Sequence, residues 1–447
     1  MVKFLPLFHP IDTLKFPNLQ YYNYYYGAGV EGKADYGLKE FDLFCKQAWT
    51  ENAIEHFMIS NKAEQIYESA ITKSRRNLLN HSVQQLEKLA QDQKAFAMNH
   101  LLEFWTREGD KANIVATLCN LYRDKLEELV DIFSDIKMSK RETIRTIGTY
   151  YHFYSNGGIQ RVLAQLMRIW VSEGYRVVFF TDYPESEDDY ELPNGVERVT
   201  LAENGNVAER NYGKRGLSLE SNIRKYNVDV MVYHEYFGRS MIWDMLLSKM
   251  LGCPFLIYYH NTFSKFVATY EKQFFTIPRI AKLADGMIVL SDTDKQFWSA
   301  FNSNVHVVKN PLVFELDKIQ INNLKNKIII WVGRLDELHK RYQEPIDVMK
   351  LLLKRVPDAK LVIVGRDADG TNYYKLKNRI EKLHMEDSVI LCGFQKDVAP
   401  FYEMASIYLM TSNFEGYPMT LIEALSYGIP TVMYELPYLT LTQNNKG

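Results

Sequence analysis

Four cysteines in 447 residues (Cys45, Cys119, Cys253 and Cys392) form no CxxC pair and no Cys/His cluster. Neither a structural zinc site nor a disulfide framework is indicated, and such sparse usage suits a reducing cytosol. Long apolar runs are absent too. Nothing approaches the roughly 20 apolar residues that span a bilayer. The opening MVKFLPLFHP interrupts its short apolar run with Pro and His and lacks a small-residue cleavage site, so it does not read as a signal peptide. The expectation is a cytoplasmic protein, attached at most to a membrane surface. A formal net charge of -2 leaves no basic field to attract nucleic acid. The glycine loop at Gly157 and Gly158 is not a GxGxxG dinucleotide fingerprint, and no GxxxxGK[ST] phosphate loop occurs, which argues against an NAD-dependent α/β enzyme and a P-loop nucleotidase.

What is present is a globular composition, 47% hydrophobic and 24% charged, in a chain too long for one core. The 30 tyrosines suit sugar handling, but packing is their commoner use. Three regions differ in texture. Residues 1–142 open with a Pro- and Tyr-rich stretch. They then read as helices, with Leu118, Leu121, Leu126, Leu129 and Ile132 at helical spacing and no sustained heptad. A charged segment, 137–145, reads as a linker. Residues 143–318 begin with an apolar run over 147–154, a Ser-Asn-Gly-Gly loop, a helix ended by Gly174, and a strand over 176–181. That is a βαβ unit, which implies parallel pairing. Further strands are expected near 228–233, 255–259, 286–290 and 305–308. Residues 319–447 restart the pattern, with strands at 327–333, 361–365, 389–393, 407–411 and 431–434. The fold class is therefore α/β, two consecutive domains after a mainly helical extension. The chain stops at Gly447 soon after a strand, so a further strand or helix is expected to be missing from its end.

The strongest chemical signal runs from Glu415 to Pro430, EGYPMTLIEALSYGIP. It reads as a loop entering a helix. Pro418 suits the first turn, Gly428 the left-handed position past the end, and Pro430 blocks continuation. The positive end of such a helix points at the Glu415 loop and is suited to a diphosphate. Glu423 shares a side with Thr420 and Tyr427, and Leu421, Ile422 and Leu425 read as the apolar side. Taken singly, Glu415 and Glu423 would be a capping-loop residue and a surface residue.

Together these residues resemble the two-glutamate signature of family 4 glycosyltransferases, which have the GT-B fold of two facing Rossmann-like domains. The resemblance covers 145–440, about two-thirds of the chain. It implies that Glu415 contacts the donor sugar near the leaving group and that Glu423 binds the ribose hydroxyls, with Gly416 beside them. A second matching element is Gly333-Arg334-Leu335-Asp336-Glu337-Leu338-His339-Lys340, after a strand. Arg334 and Lys340 would hold the donor diphosphate, whose β-phosphate gains charge as the bond breaks. Arg341 follows where the family often has Gly, which leaves the loop shape open. Asn156-Gly157-Gly158 resembles the family's glycine loop, where Gly157 and Gly158 would let backbone approach the donor or the acceptor. His260, at a strand end, matches a histidine that faces the donor sugar. His234-Glu235 is a candidate for the acceptor side, weighed evenly against a structural role. Phe394 would pack near the base, with ordinary core packing an equal reading.

Two Asp-x-Asp pairs, Asp292/Asp294 and Asp367/Asp369, read as a helix cap and as loop residues rather than metal ligands. No metal and no cofactor is expected. The implied reaction is retaining transfer from a nucleotide-diphosphate sugar to a glycan, lipid-linked or protein acceptor, in surface polysaccharide assembly. Two rivals stay open: a non-enzymatic scaffold on the same fold, and a GT-B nucleotide-sugar epimerase. The extension 1–142 lies outside the resemblance and is a candidate for peripheral membrane contact or homo-oligomerisation.

Overall fold

The structure, a computed structural model, describes residues 75–436 apart from 135, 137–142, 156, 202–211, 235–239, 270–275, 313–318, 320, 366, 368–369 and 396. By its contacts the chain divides into two compact units, Met1–Leu121 and Tyr122–Gly447. Of the expected helical extension, residues 1–74 lie outside the described residues. From 75 onward the first unit is helical, including α1 (Gln91–Phe104) and α2 (Asp110–Tyr122). Leu79, Val83, Met98, Leu101, Ile114 and Leu118 are buried there, and Arg75 Nη2 pairs with Asp110 Oδ2 at 2.6 Å.

The second unit opens with α3 (Leu126–Ser134) and then builds two parallel sheets. The first contains β1 (Thr146–Tyr150), β2 (Arg176–Thr181), β3 (Val196–Thr200), β4 (Val230–Tyr233), β5 (Phe255–Tyr258), β6 (Gly286–Val289) and β7 (Val305–Val307). Helices α4 (Gly158–Ser172), α5 (Tyr212–Tyr226), α6 (Met241–Met250), α7 (Phe263–Thr269), α8 (Thr276–Leu283) and α9 (Asp292–Trp298) connect them. The strand order is β3-β2-β1-β4-β5-β6-β7, with every ladder parallel. Covered on both faces, the inner strands are mostly apolar, and β1 (TIGTY) is buried along its whole length. Each fully buried aliphatic or aromatic side chain stabilises such a core by about 1.5–3 kcal/mol.

The second sheet contains β8 (Ile328–Val332), β9 (Lys360–Val364), β10 (Val389–Gly393), β11 (Ile407–Met410) and β12 (Thr431–Met433). Between them run α10 (Glu337–Lys340), α11 (Glu344–Leu352), α12 (Thr371–Lys382), α13 (Ala399–Met404) and α14 (Met419–Ser426). Its order is β10-β9-β8-β11-β12, again all parallel. In both sheets the order reverses beside the first strand, between β1 and β4 and between β8 and β11. Open α/β sheets bind ligands at the carboxyl ends of the strands at such a reversal.

Three local expectations are corrected. β3, with sequence VERVT, went unread because it is an edge strand with only Val196 and Val199 turned inward. The first apolar run of this region stops being strand at Tyr150. Tyr151 and Tyr154 continue it as buried loop residues that fill the core over β2. On α14 the buried positions are Leu421, Glu423 and Ala424, whereas Leu425 is exposed. The helix is rotated from the face its apolar residues suggested, and Glu423 points inward. Among the described residues no helix is long and apolar enough to cross a membrane.

Candidate donor site

The reversal between β8 and β11 carries two loops that are tied together. Trp331 Nε1 donates to Thr411 Oγ1 at 3.0 Å, and Thr411 Oγ1 donates to Lys340 O at 2.8 Å. Asn413 N donates to His339 O at 2.7 Å, and Asn413 Nδ2 to Leu338 O at 2.9 Å. Asp336 caps the short α10 by accepting from His339 N, and its other oxygen meets His339 Nδ1 at 2.6 Å. This bracing places Lys340 Nζ 2.5 Å from Glu415 Oε1, with both side chains largely buried. Sequence thus separates these two residues widely, and the fold makes them an ion pair. Arg334 stands apart, 65% exposed, with Nη2 3.7 Å from Asp336 Oδ2.

Arg341 explains the family's preference for glycine at its position. Its φ is 48°, in the left-handed region where a side chain costs about 1–2 kcal/mol. Here Arg341 accepts that conformation while pairing with Glu344 and lying 4.9 Å over the Tyr434 ring. Gly365 is required for another reason. A Cβ there would stand 1.9 Å from Gly333 O, the carbonyl just before Arg334.

Glu423 is 1% exposed. Tyr402 OH donates to its Oε2 at 2.9 Å, and Arg161 Nη1 of the first sheet domain lies 2.9 Å from Oε1. That approach is an ion pair without hydrogen-bond alignment, so Oε1 has no aligned donor. Burial raises the Glu423 carboxyl above its ordinary range, opposed by Arg161 and Tyr402. The α14 N-terminus begins at Pro418, which is the cap residue rather than the first helical one, and no side chain caps it.

The two sheet domains meet here. A Cβ on Gly416 would lie 2.6 Å from His260 O, so only glycine lets the Glu415 loop pass the end of β5. Tyr417 and Met419 pack on the cluster of Ile147, Val162 and Tyr258. His260 is buried, and its Nε2 lies 2.8 Å from Nδ1 of His234, which follows β4. Burial pushes His260 down to about 3, and His234, with the added effect of His260, is also well below the ordinary range. The sign of the pH dependence follows. The unfolded chain binds protons near pH 6.5 that the folded chain refuses, so stability is full above that pH and falls as pH drops toward 3. We expect a loss of about 1.4 kcal/mol per pH unit for each histidine that titrates only on unfolding. Urea unfolding at pH 7 and pH 5 checks this. His260→Asn should flatten the slope, and an unchanged slope would refute the assignment.

Gly157 caps α4 with an extended backbone, and a Cβ on it would strike the Gln160 side chain at 2.1 Å. A Cβ on Gly158 would meet nothing within 4 Å. Asn156 and Glu235 lie outside the described residues. Phe394 is 40% exposed beyond Gly393, whose φ is 65°, so the core-packing alternative does not hold. In the first Asp-x-Asp pair the helix cap is Ser291, not an aspartate, and Asp294 accepts from Phe263 N at 2.7 Å. In the second, Asp367 accepts from Tyr373 N at 2.8 Å at the start of α12.

Three residues were given no role from sequence. Arg161 lay inside the glycine-loop motif, and its position one turn past Gly157 could have drawn notice. Tyr402 is one of 30 tyrosines, with nothing local to mark it. Lys265 on α7 is lowered by burial and by Arg334, while Asp336 and Glu415 act in the opposite direction. It therefore adds a cation of the first sheet domain to the electrostatics of the bracket, and no motif surrounds it.

Two family profiles match adjoining parts of the chain: Glycosyltransferase Family 4 over residues 156–315, and Glycosyl transferases group 1 over residues 314–442. An uncharacterized glycosyltransferase of Haemophilus influenzae is 26% identical over 286 residues, 63% of this chain and 77% of that protein. The amylovoran biosynthesis glycosyltransferase AmsD of Erwinia amylovora is 33% identical over 160 residues, 34% of this chain and 44% of its own length. Among solved structures, Anabaena HepE in complex with UDP and glucose superposes with a TM-score of 0.52 at 15% identity, covering 65% of this chain and 80% of that one. The paired parallel sheets, the two profiles and these relatives agree: the chain belongs to the group 1, family 4 glycosyltransferases of GT-B fold.

Proposed function

We propose that this glycosyltransferase is a retaining enzyme that takes a hexose from a nucleoside-diphosphate donor bound mainly on the second sheet domain. The observation that carries the reading is the Lys340–Glu415 pair at 2.5 Å on loops braced at a sheet reversal. In this reading Lys340, Arg334 and the start of α14 hold the diphosphate, and Lys340 and Arg334 offset the charge on the departing phosphate. Glu415 and His260 hold the sugar from the two domains. Glu423, whose Oε1 has no aligned donor, accepts from ribose hydroxyls once Arg161 moves aside. Phe394 lies against the base. The acceptor (a glycan, lipid-linked sugar or protein) enters past Gly157 and Gly158. HepE was solved with UDP and glucose, and AmsD acts in amylovoran biosynthesis. The first supports a uridine donor and the second supports polysaccharide assembly, which this reading places on the cytoplasmic side. The boundaries 1–142, 143–318 and 319–447 serve as the working division into extension, acceptor domain and donor domain.

A metal-free binding screen of UDP-, GDP-, ADP-, CDP- and dTDP-sugars tests the assignment. One donor should bind selectively and lose at least about tenfold in affinity in Glu423→Gln, the cost of an unpaired buried polar group. Absence of binding by the folded protein would favour the scaffold reading. Turnover without an acceptor to a new sugar isomer would favour the epimerase. Gly158→Ala separates packing from ligand approach. Open space at the Cβ predicts unchanged or slightly higher stability. If donor or acceptor backbone contacts fill that space, turnover falls about tenfold or more. Full activity would remove Gly158 from the site.

A further inference from the structure

Two neutral imidazoles that meet edge to edge contain two ring protons, and only one can lie between them. His234 Nδ1 and His260 Nε2 are 2.8 Å apart, so one ring donates and the other accepts. The second proton then sits on an outer nitrogen, either His234 Nε2 or His260 Nδ1. Both outer nitrogens are buried without a hydrogen-bond partner. An orphaned buried N–H costs more than an orphaned lone pair and is rarer in folded proteins. The stable arrangement therefore puts the N–H on the ring that a ligand can reach.

The surroundings of the two rings differ. His234 is fully buried. The Trp170 ring centroid lies 6.4 Å away and that of Tyr258 lies 5.1 Å away, which leaves no polar partner for its Nε2. His260 is on the seam where its own carbonyl abuts Gly416 and the Glu415 loop. Its ring stacks on Tyr258 at 4.3 Å, and Tyr258 OH is in turn anchored on Asn310 Oδ1 at 3.2 Å. His260 keeps 8% exposure at this seam, whereas His234 has none.

We infer that His234 is a positioning residue of the donor site: its Nδ1–H donates to His260 Nε2 and holds His260 as the Nδ1–H tautomer, which offers a hydrogen-bond donor to an oxygen of the bound sugar. This deepens the donor-site reading above. It moves His234 from a candidate acceptor-side residue to the residue that sets the polarity of His260. The stacking on Tyr258 fixes the plane of the His260 ring, and the His234 bond fixes its rotation and tautomer.

The tautomer can be read without any ligand, by long-range 1H–15N correlation on 15N-histidine-labelled protein, with the His260 signals assigned from His260→Gln. The expected pattern is a protonated Nδ1 and a lone-pair Nε2 on His260. His234→Asn keeps an amide donor at the Nδ1 position and should preserve that pattern. His234→Asp presents an acceptor there and should invert it, with UDP-glucose affinity down about tenfold or more in a protein of unchanged circular dichroism. A wild-type His260 protonated at Nε2, or a pattern indifferent to His234→Asp, would overturn the inference. Failure of UDP-glucose to bind the wild type would count against the uridine-donor reading alone, since the tautomer is decided by the ligand-free spectra.

Discussion

Lys340→Ala should lower turnover with the cognate donor by about 10²–10³-fold, the effect of removing one well-aimed stabiliser of transition-state charge. The side chain is 18% exposed and held 2.5 Å from Glu415. It therefore reaches the reaction already ordered, without the entropy cost of fixing a surface lysine. Its removal also leaves Glu415, 11% exposed, facing a diphosphate with no cation between them. Two effects are then mixed: a lost attraction and a gained repulsion. Lys340→Ala combined with Glu415→Gln separates them, because the amide removes the repulsion without restoring the cation. Donor affinity in the double variant should recover relative to Lys340→Ala, while kcat stays low. Arg334, exposed and loosely paired, should show a smaller effect as Arg334→Ala, mostly in donor affinity. A Lys340→Ala protein that turns over within about threefold of wild type would remove the pair from the reaction, since cleavage of the bond between the anomeric carbon and the departing diphosphate oxygen would then need another source of charge stabilisation.

The parts of this site that sequence reveals are those set by local chain geometry. Gly428, with φ of 71°, and Pro430 end a helix wherever they occur in this order. The alternation of apolar runs with amphipathic stretches leaves little choice but parallel α/β domains. The Glu415 and Lys340 loops were legible because each follows a strand and carries residues with few other uses. What sequence hid depends on rotation and on distant contact. Glu423 could be seen as a member of a pattern, but its burial follows from the turn of α14 against Tyr402, which no local periodicity fixes. Arg161 and Lys265 belong to the first sheet domain and gain meaning only from charges on the second. His234 looked like one of two residues at a strand end. Its significance lies in a nitrogen 26 residues away in sequence, an inter-strand relation set by the β4–β5 pairing.

Arg215→Leu should cost about 3–5 kcal/mol, the penalty for leaving buried carboxylates without their cation. Arg215 on α5 is 5% exposed, and it pairs with Asp182 and, at 2.6 Å, with Asp244. Three phenols complete the network. Tyr150 OH donates to Asp182 Oδ2 at 2.6 Å, Tyr233 OH to Asp244 Oδ2 at 2.8 Å, and Tyr212 OH to Asp244 Oδ1 at 3.0 Å. Burial raises the Asp182 carboxyl despite Arg215. Burial alone would lower Arg215, but Asp244, with Tyr233 and Tyr150, holds it well above its ordinary value. Nothing in the local sequence announces this cluster, because its members come from β1, the ends of β2 and β4, and two helices. They converge where the first sheet reverses its strand order, the place from which the glycine loop and His234 both depart. Arg215→Lys should be intermediate, since an ammonium keeps the charge but lacks the fork that reaches both aspartates. The test is the urea midpoint at constant slope. Arg215→Leu should unfold much earlier than wild type. Adding Asp182→Asn and Asp244→Asn to Arg215→Leu should recover part of the loss, because the network's value lies less in net attraction than in the cost of breaking it. If the triple variant is no more stable than Arg215→Leu alone, the loss comes from packing around the guanidinium and its ring contact with Tyr150, 5.2 Å away, rather than from unpaired charge.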